Sequence, residues 1–228
     1  MHPSKARLTI TTLLTIALGA ITITATADDH ENRTFDDLVP VENARVGVAY
    51  VDPEADFSVF GQVMLLEPYV AFKANWQRDQ NRSRTNNVTA RDMDRIRADV
   101  AALFMDVFRE KLAEDGGFPI VEEGGMDVIA IRPAIIDLDV TAPDTRTGGR
   151  SRTFSSSTGS ATLYIELVDT MTGATLGRAL DRTEIRNFPG SVSWSNRVTN
   201  SADARRMMGR WADILRQFMD THFMVKAE

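Results

Sequence analysis

The most regular pattern of hydrophobic and polar positions in the chain predicts a long helix between residues 89 and 116. Apolar residues recur there at steps of three, four and five, which places them along one face of a helix. Thr89 followed by Asp92 is typical of a capping box, and Gly116-Gly117 supplies the glycines that favour a helix end. The side chains predicted to be buried are Met93, Ile96, Val100, Leu103, Phe104, Val107 and Leu112.

A second helix is predicted near the C-terminal end, beginning at Ser201. Serine is a favourable N-cap residue, and the apolar residues that follow keep a helical spacing. Both helical stripes are predicted to be core, because burying each large side chain stabilises a fold by ~1.5–3 kcal/mol. The buried side of the second helix is predicted to contain Ala204, Met207, Met208, Trp211, Leu215, Phe218 and Met219.

Two longer apolar runs predict strands that are interrupted by proline. The run Gln62–Lys73 contains Pro68, and the run Met126–Val140 contains Pro133. Proline has no amide hydrogen to donate to a neighbouring strand, so its presence indicates an edge or a bend. Residues 77–88 have almost no apolar side chains and are predicted to form a loop.

A β-hairpin is predicted in the second half of the chain. Ala161–Asp169 and Thr175–Ile185 read as strands, and Thr170–Ala174 as the turn between them, with Gly173 providing a positive φ. The order of elements is strand, helix, several antiparallel strands and helix. This order predicts a single α+β domain with a mixed, mostly antiparallel sheet and two helices packed on one face.

The N-terminal 27 residues have the pattern of a secretory signal peptide. Lys5 and Arg7 precede an uncharged run from Leu8 to Thr26, and Ala25-Thr26-Ala27 provides a small-residue cleavage site. Cleavage is expected after Ala27, which places the protein in the periplasm.

The remaining sequence is expected to divide into residues 28–44, a polar and acidic leader, and residues 45–228, the α+β domain. The chain contains no cysteine, so a lipid-anchoring cysteine after the cleavage site is absent. We therefore expect no stable membrane anchor after cleavage. The lack of cysteine also means that no disulfide stabilises the fold.

The amino-acid composition limits the ligands and reactions that the protein can be expected to use. The formal net charge is −6, which argues against nonspecific binding to nucleic acid. Of the three histidines, only His30 and His222 follow the predicted cleavage site. Zinc binding and histidine-dependent nucleophilic catalysis are therefore not expected, and neither a metal nor a cofactor is predicted.

The sharpest catalytic motif is Asp137-Leu138-Asp139-Val140-Thr141, which follows two isoleucines. This order matches the nucleophile strand of haloacid-dehalogenase-type phosphatases, in which one carboxylate attacks phosphorus and the second acts as acid and base. The alternative is an ordinary strand whose alternation puts Ile136, Leu138 and Val140 inward and both aspartates outward.

Two other segments are candidates for binding an anionic ligand or a partner. The first carries Arg150 and Arg152 beside Gly148-Gly149, a composition suited to anions but equally to a solvated loop. The second carries Trp194 and Asn196, and it could instead cover the sheet end and cap the last helix. Arg150, Arg152, Trp194 and Asn196 form the predicted binding surface.

An ordered set of short motifs extends over roughly residues 46–221. The motifs are Asp56-Phe57-Ser58, Val63-Met64-Leu65, Tyr69-Val70-Ala71-Phe72, Asn75-Trp76, Arg132-Pro133-Ala134-Ile135-Ile136-Asp137-Leu138, Gly149-Arg150-Ser151-Arg152-Thr153-Phe154, Leu167-Val168-Asp169, Thr172-Gly173 and Trp194-Ser195-Asn196. This set resembles the bacterial domain-of-unknown-function 3313 family. The resemblance implies a Gram-negative envelope protein, often a lipoprotein, with a compact α+β domain and no assigned activity. The missing anchoring cysteine is a departure from the lipoprotein members.

The sequence thus favours an exported, non-enzymatic binding or interaction domain of the envelope. Its expected partner is an envelope protein or an anionic ligand, and the oligomeric state is left open. The alternative hypothesis is a phosphate-acting hydrolase that uses Asp137 and Asp139.

Overall fold

The structure of the protein is a computed structural model that describes residues 37–82, 87–140, 157–186 and 197–223. The chain divides into two units, Met1–Glu31 and Asn32–Glu228, and all described residues belong to the second unit. The predicted signal peptide, residues 1–27, lies outside the described residues.

Helices and strands follow one another in the order expected for an α+β domain. The helices are α1 (Trp76–Arg82), α2 (Ala90–Ala113) and α3 (Arg197–His222), and a short 3-10 turn spans Phe57–Val59. The strands are β1 (Val39–Pro40), β2 (Val48–Val51), β3 (Gln62–Leu65), β4 (Tyr69–Phe72), β5 (Val128–Val140), β6 (Ser157–Asp169) and β7 (Thr175–Arg186).

These seven strands form one mixed sheet in the order β1-β2-β7-β6-β5-β3, and β4 also pairs with β5. β3 and β4 run parallel to β5, whereas the other neighbouring strands are antiparallel. α2 and α3 pack against each other, and their apolar side chains join those of the inner sheet face in one core cluster. The predicted fold class, a mostly antiparallel sheet with two helices on one face, is confirmed.

The two strand prolines mark the place where β3 gives way to β4. β3 pairs with Val128–Ile131 of β5, and β4 pairs with β5 from Ala134 onward. Pro133 therefore lies in the gap of this ladder, opposite the bend that contains Pro68. A proline is tolerated inside β5 because its missing donor faces a stretch where the neighbouring strand is interrupted.

The simple alternation predicted around Asp137 is wrong for Ile136. The buried side chains are Ile135 and Leu138, which are three positions apart, whereas Ile136 is only partly buried. The register between β5 and β6 shifts between Ile136 and Asp139, and Asp137 has a φ of 51°. A bulge inserts one extra residue and thereby moves the following side chains to the opposite face.

α2 confirms the predicted helix and its cap. Three residues of the predicted face are buried, Phe104, Val107 and Leu112, and the other four are partly buried, Met93, Ile96, Val100 and Leu103. Thr89 and Asp92 form a capping box, with Thr89 Oγ1 accepting from the Asp92 amide at 3.2 Å and Asp92 Oδ2 accepting from the Thr89 amide at 3.0 Å. Gly116, just after the helix end, has a φ of 70°. Phe108, which was not among the predicted core residues, is fully buried, and its ring stacks on Phe104 with centroids 3.9 Å apart.

The loop predicted for residues 77–88 is partly wrong, because Trp76–Arg82 form α1. The segment is short of apolar residues, but buried Trp76 anchors it by donating from Nε1 to the Val140 carbonyl at 2.9 Å. The amide side chains of Gln77 and Asn81 both donate to the carbonyl of Val88. Tertiary contacts of this kind override a weak local preference.

α3 begins at Arg197, so Ser201 lies inside the helix and is not its N-cap. Serine costs less than ~1 kcal/mol in a helix interior, too little to end a helix that is held by its buried face. The predicted buried face is largely confirmed, since Met207, Met208, Trp211, Leu215 and Met219 are buried.

The predicted hairpin between β6 and β7 is confirmed. Gly173 has a φ of 75° in the turn, and Asp169 accepts from the Met171 amide and the Thr172 hydroxyl, both at 2.8 Å. Partial burial raises the pKa of Asp169, but these hydrogen bonds outweigh it and leave the pKa below its usual value.

The sheet begins within the segment expected to be a leader. Leu38 is fully buried, and β1 pairs with β2 through Val39 opposite Val51 and Pro40 opposite Tyr50. Burial of a short apolar stretch explains why part of an otherwise polar segment joins the sheet.

Candidate functional site

The four residues of the predicted binding surface lie outside the described residues. Their points of attachment are described: β6 begins at Ser157, β7 ends at Arg186, and these two residues pair in the sheet. The chain therefore enters β6 and leaves β7 at the same end of the sheet. The four predicted residues are Arg150, Arg152, Trp194 and Asn196.

Asp137 and Asp139 do not form a pair of carboxylates facing a cavity. Asp137 is exposed in the bulge, and Asp139 accepts from Lys73 Nζ at 3.1 Å. The next strand after the motif, β6, pairs with β5 in an antiparallel manner, whereas the phosphatase motif belongs near the start of a fold in which a helix and a parallel strand follow. Within the described ranges, no group of three or more histidine or acidic side chains could hold a metal ion. This geometry gives the hydrolase hypothesis no support.

An apolar cavity of ≈350 Å³ lies between α3 and the strands β2, β6 and β7. Its size is within the range of about 300–1,000 Å³ that is usual for small-molecule sites. The sheet side is lined by Leu163, Ile165, Leu167, Gly177, Ala179 and Asp181. The helix side is lined by Trp211, Ile214, Leu215 and Phe218.

Small residues on β7 leave the space that forms this cavity. Gly177 and Ala179 face α3, whereas the paired positions on β6 carry Leu167 and Ile165. A Cβ added at Gly177 would lie 3.4 Å from the Tyr50 carbonyl oxygen and 3.8 Å from Leu167 Cδ1, which is ordinary contact. The site could therefore hold a larger side chain, and the cavity follows from the residues present there.

Asp181 is a buried carboxylate at the polar end of the cavity. Its Oδ2 accepts from Trp211 Nε1 at 2.8 Å and from Thr183 Oγ1 at 3.1 Å, and its Oδ1 accepts from the Gly47 amide at 3.0 Å. These bonds connect β7 to α3 and to the start of β2. A buried carboxylate without such donors would be strongly destabilising, so the three bonds fix the cavity wall in place.

The loop between β1 and β2, residues 41–47, forms a further side of the cavity and carries Arg45 to its mouth. The loop is closed by a hydrogen bond from the Val41 amide to the Ala49 carbonyl at 2.9 Å and by the Gly47 bond to Asp181. A Cβ at Gly47 would lie only 3.1 Å from the Leu180 carbonyl oxygen, so glycine allows this close approach.

A cationic groove of ≈820 Å³ runs along the outer side of α3. Three of its basic residues come from α3, one from the end of α2 and one from the loop 41–47. The groove also contains Asp213, and its basic residues are Arg45, Lys111, Arg205, Arg206 and Arg210.

Most of these basic residues are neutralised by neighbouring acids. Arg205 pairs with Glu110 at 3.1 Å, and Arg206 pairs with Asp203. Hydrogen bonding to Asp213, followed by its charge and the corresponding effects of Glu114, raises the pKa of Lys111.

Arg45 and Arg210 form no ion pair with any acid in the part of the chain that the structure describes. Among the described residues, they are the groove cations that have no ion-pair partner.

The cavity and the groove adjoin, because Arg45, Ile214 and Gln217 line both of them. Ile214 and Gln217 are three residues apart on α3 and therefore lie on the same face of the helix. An apolar space and a cationic space thus share one boundary.

A second polar cluster lies on the opposite face of the sheet. Glu166 on β6 accepts from Arg178 at 3.0 Å and from the Tyr164 hydroxyl at 2.6 Å, and it pairs with Arg132 at 2.9 Å. Partial burial, followed by the hydrogen bond to Glu166, raises the pKa of Tyr164 to about 12. The cluster resembles a cross-strand ion-pair network, in which Arg132, Glu166 and Arg178 occupy paired positions.

Sequence reasoning missed the residues that define the cavity and the groove. One signal was present: Asp181 is an acid on the face of β7 that otherwise carries Gly177 and Ala179. A second was the cluster of Arg205, Arg206 and Arg210 on a helix whose buried side was recognised. Neither signal identifies its partners, because Arg45 and Trp211 are distant in sequence.

Comparison with solved structures finds matching chains at low sequence identity. A variant PelC dodecamer from Paraburkholderia phytofirmans is 8% identical, with 74% of this chain and 95% of that chain covered and a TM-score of 0.37. Protein XCC0632 from Xanthomonas campestris is 14% identical, with 80% and 93% covered and a TM-score of 0.36.

A search of curated proteins finds no match. Among the described helices, none is both long and apolar enough to cross a membrane. The model of the family described as "Protein of unknown function (DUF3313)" matches residues 32–215. This match covers most of the chain and confirms the resemblance seen in the motifs. The chain belongs to the DUF3313 family.

Proposed function

We propose that this chain is an exported, non-catalytic binding protein of the bacterial envelope, and that the cavity beneath α3 holds a small apolar ligand. The observation that carries the proposal is the cavity of ≈350 Å³, lined mainly by aliphatic and aromatic side chains with Asp181 at one end. Largely apolar, preformed spaces with few polar groups are typical of small-molecule sites.

The state of Asp181 supports binding over chemistry at this site. Both carboxylate oxygens already accept hydrogen bonds, from Gly47, Thr183 and Trp211. All three donors belong to the protein, so the carboxylate has a structural role and keeps the cavity wall in position.

The N-terminal sequence supports export. Lys5, Arg7 and the uncharged run before Ala27 predict cleavage after Ala27 and release into the periplasm, and the absence of cysteine supports a protein without a lipid anchor. Mass spectrometry of the periplasmic fraction should find a chain that begins at Asp28. Recovery of the intact chain in the salt-washed membrane pellet would contradict this part of the proposal.

The surface predicted from the sequence remains part of the proposal as a partner or anion site. Arg150 and Arg152 precede β6 in the sequence, and Trp194 and Asn196 follow β7. The proposal is supported by the pairing of Ser157, where β6 begins, with Arg186, where β7 ends. Arg150→Ala combined with Trp194→Ala should reduce capture of an envelope partner. Unchanged capture by this double variant would remove these residues from the site.

Binding of the neutral dye N-phenyl-1-naphthylamine tests the cavity directly. Its fluorescence rises in an apolar environment, and we expect saturable binding to the purified protein. Ala179→Leu places a larger side chain into the cavity and should weaken binding about tenfold or more, because it removes apolar space. Ala102→Leu is a matched control, because Ala102 is exposed on α2. Equal binding by both variants would show that the dye binds elsewhere.

A further inference from the structure

The shared boundary of the two spaces suggests what kind of ligand they accept together. We infer that the cavity and the cationic groove form one site for an anionic amphiphile with a single apolar chain, whose tail enters the cavity and whose head contacts Arg45 and Arg210. This inference rests on the proposed function and specifies the chemical class of its ligand.

Charge complementarity supports the anionic head. Arg45 and Arg210 are the groove cations that form no ion pair with a described acid, while Arg205 and Arg206 are paired. A guanidinium binds a carboxylate or phosphate through two parallel hydrogen bonds. Since the whole chain carries a formal net charge of −6, a groove lined by five basic residues is a local departure from the overall charge.

The arrangement of residues on α3 supports a ligand that spans both spaces. Arg210 lines the groove, Ile214 and Gln217 line both spaces, and Phe218 lines the cavity. Phe218 lies eight positions after Arg210, which corresponds to about 12 Å along the helix axis. A headgroup at Arg210 would therefore lie within reach of a tail that passes Ile214 and packs on Phe218.

The loop 41–47 fixes the second cation. Arg45 stands two residues before Gly47, whose amide donates to Asp181 Oδ1 at 3.0 Å. Asp181 also accepts from Trp211, which lines the cavity wall. One buried carboxylate thus positions both the loop that carries Arg45 and the helix that lines the apolar space, which favours a preorganised site.

Displacement of the neutral dye by three ligands with the same alkyl chain tests the inference. The ligands are dodecanoate, dodecanol and dodecyltrimethylammonium, each used below its micelle concentration, and inorganic phosphate is added as a chainless anion. We expect dodecanoate to bind about tenfold or more tightly than the cationic ligand, because a hydrogen bond to a charged group contributes strongly. Phosphate should displace neither the dye nor dodecanoate.

Two variants assign the headgroup contact. Arg45→Gln combined with Arg210→Gln should weaken dodecanoate about tenfold. Arg210→Gln alone should also weaken dodecanoate but leave the neutral dye unchanged, because Arg210 lines the groove and is not among the residues that line the cavity. Arg91→Gln combined with Arg95→Gln removes two exposed arginines of α2 outside the groove and should change neither ligand.

The possible outcomes separate this inference from the function on which it rests. Suppose that Ala179→Leu abolishes dye binding but the anionic and cationic ligands bind with equal affinity. The inference about the anionic head would then be wrong, whereas the cavity would still be a binding site. Displacement of dodecanoate by phosphate would overturn it in favour of a free-anion site. Absence of dye binding to the unmodified protein would overturn both proposals.

Discussion

The two long helices of this protein lie near regions of the sheet that differ in side-chain size. On the α2 side, the core is filled by aromatic rings and by isoleucines of β5, with Phe104, Phe108, Ile129 and Ile131 fully buried. On the α3 side, β7 contributes Gly177, Ala179 and Asp181, and a cavity of ≈350 Å³ remains.

The difference shows how one continuous core can contain a tightly packed region and a ligand-sized space. Protein interiors are normally close-packed, so a space of this size requires small residues in fixed positions. Here the strands β6 and β7 keep their spacing through the hydrogen-bonded ladder, while the small side chains of β7 do not fill the distance to α3. This packing implies that substitutions on the α2 side should lower the stability of the protein more than substitutions on the cavity side.

The largest expected effect is on the α2 side. Phe104→Ala should lower the free energy of unfolding by about 3–5 kcal/mol, because a fully buried ring that stacks on Phe108 is replaced by a cavity. Urea denaturation followed by circular dichroism measures this change. Tyr69→Ala is a control on an exposed aromatic residue, and it should cost far less. Similar losses for the two variants would mean that the α2 side is not closely packed.

A smaller loss is expected at the polar end of the cavity. Asp181→Ala should lower the free energy of unfolding by about 2–3 kcal/mol, because the donors of Gly47 and Trp211 lose their acceptor. Asp181→Asn keeps one acceptor oxygen and should lower the free energy of unfolding by less. Tryptophan fluorescence during urea denaturation reports the transition. If the alanine variant is as stable as the unmodified protein, Asp181 does not hold the cavity wall together.

The N-cap of α2 should contribute less to the free energy of unfolding than Asp181 does. Thr89→Ala should cost about 1 kcal/mol, because the hydroxyl that accepts from the Asp92 amide is removed. Thr89→Ser retains the hydroxyl and should restore most of the loss, as judged by thermal unfolding. A serine variant as unstable as the alanine variant would indicate that the methyl group, and not the cap, is important.

Gly177→Ala on the cavity side should be nearly neutral or stabilising by about 0.4–1 kcal/mol. Its new methyl group meets only ordinary contacts at 3.4 and 3.8 Å, and the unfolded chain loses conformational freedom. Gly47→Ala is the matched comparison, because its methyl group would lie 3.1 Å from the Leu180 carbonyl oxygen. Equal and large losses in both variants would show that the cavity side is as intolerant as the α2 side.

The smallest expected effect concerns the outer face of the sheet, opposite both helices. Because the pKa of Tyr164 is raised to about 12, its phenol holds its proton more tightly in the folded state, and this contribution to stability is present at lower pH. It should be lost as the pH rises from about 10. An absorbance titration should show a late phenolate step that Tyr164→Phe removes; persistence of that step would assign it to another tyrosine.

Local sequence was sufficient wherever a feature depends on residues a few positions apart. The capping box uses Thr89 and Asp92, and the turn uses Asp169 and Gly173, so side chain and backbone partner are neighbours in the chain. The α+β fold class also follows from the order of elements and their periodicity.

Features that are formed by residues far apart in the chain could not be predicted from the sequence pattern. Gly47 and Asp181 are 134 positions apart, and Trp211 is 30 positions from Asp181, yet together they form one wall of the cavity. Asp137 could be recognised as part of a motif, but the bulge that exposes it depends on the register with β6. The start of α3 at Arg197 likewise could not be derived from the capping preference of Ser201.

The sequence by itself determined the two long helices, the hairpin, the fold class and the family, because hydrophobic periodicity and turn chemistry are local properties of the chain. Only the tertiary structure decided where the apolar cavity lies and that a cationic groove adjoins it. A cavity remains where the side chains of separate elements are too small to fill the space between their backbones. That difference exists only once β7, α3 and the loop bearing Arg45 have been brought together.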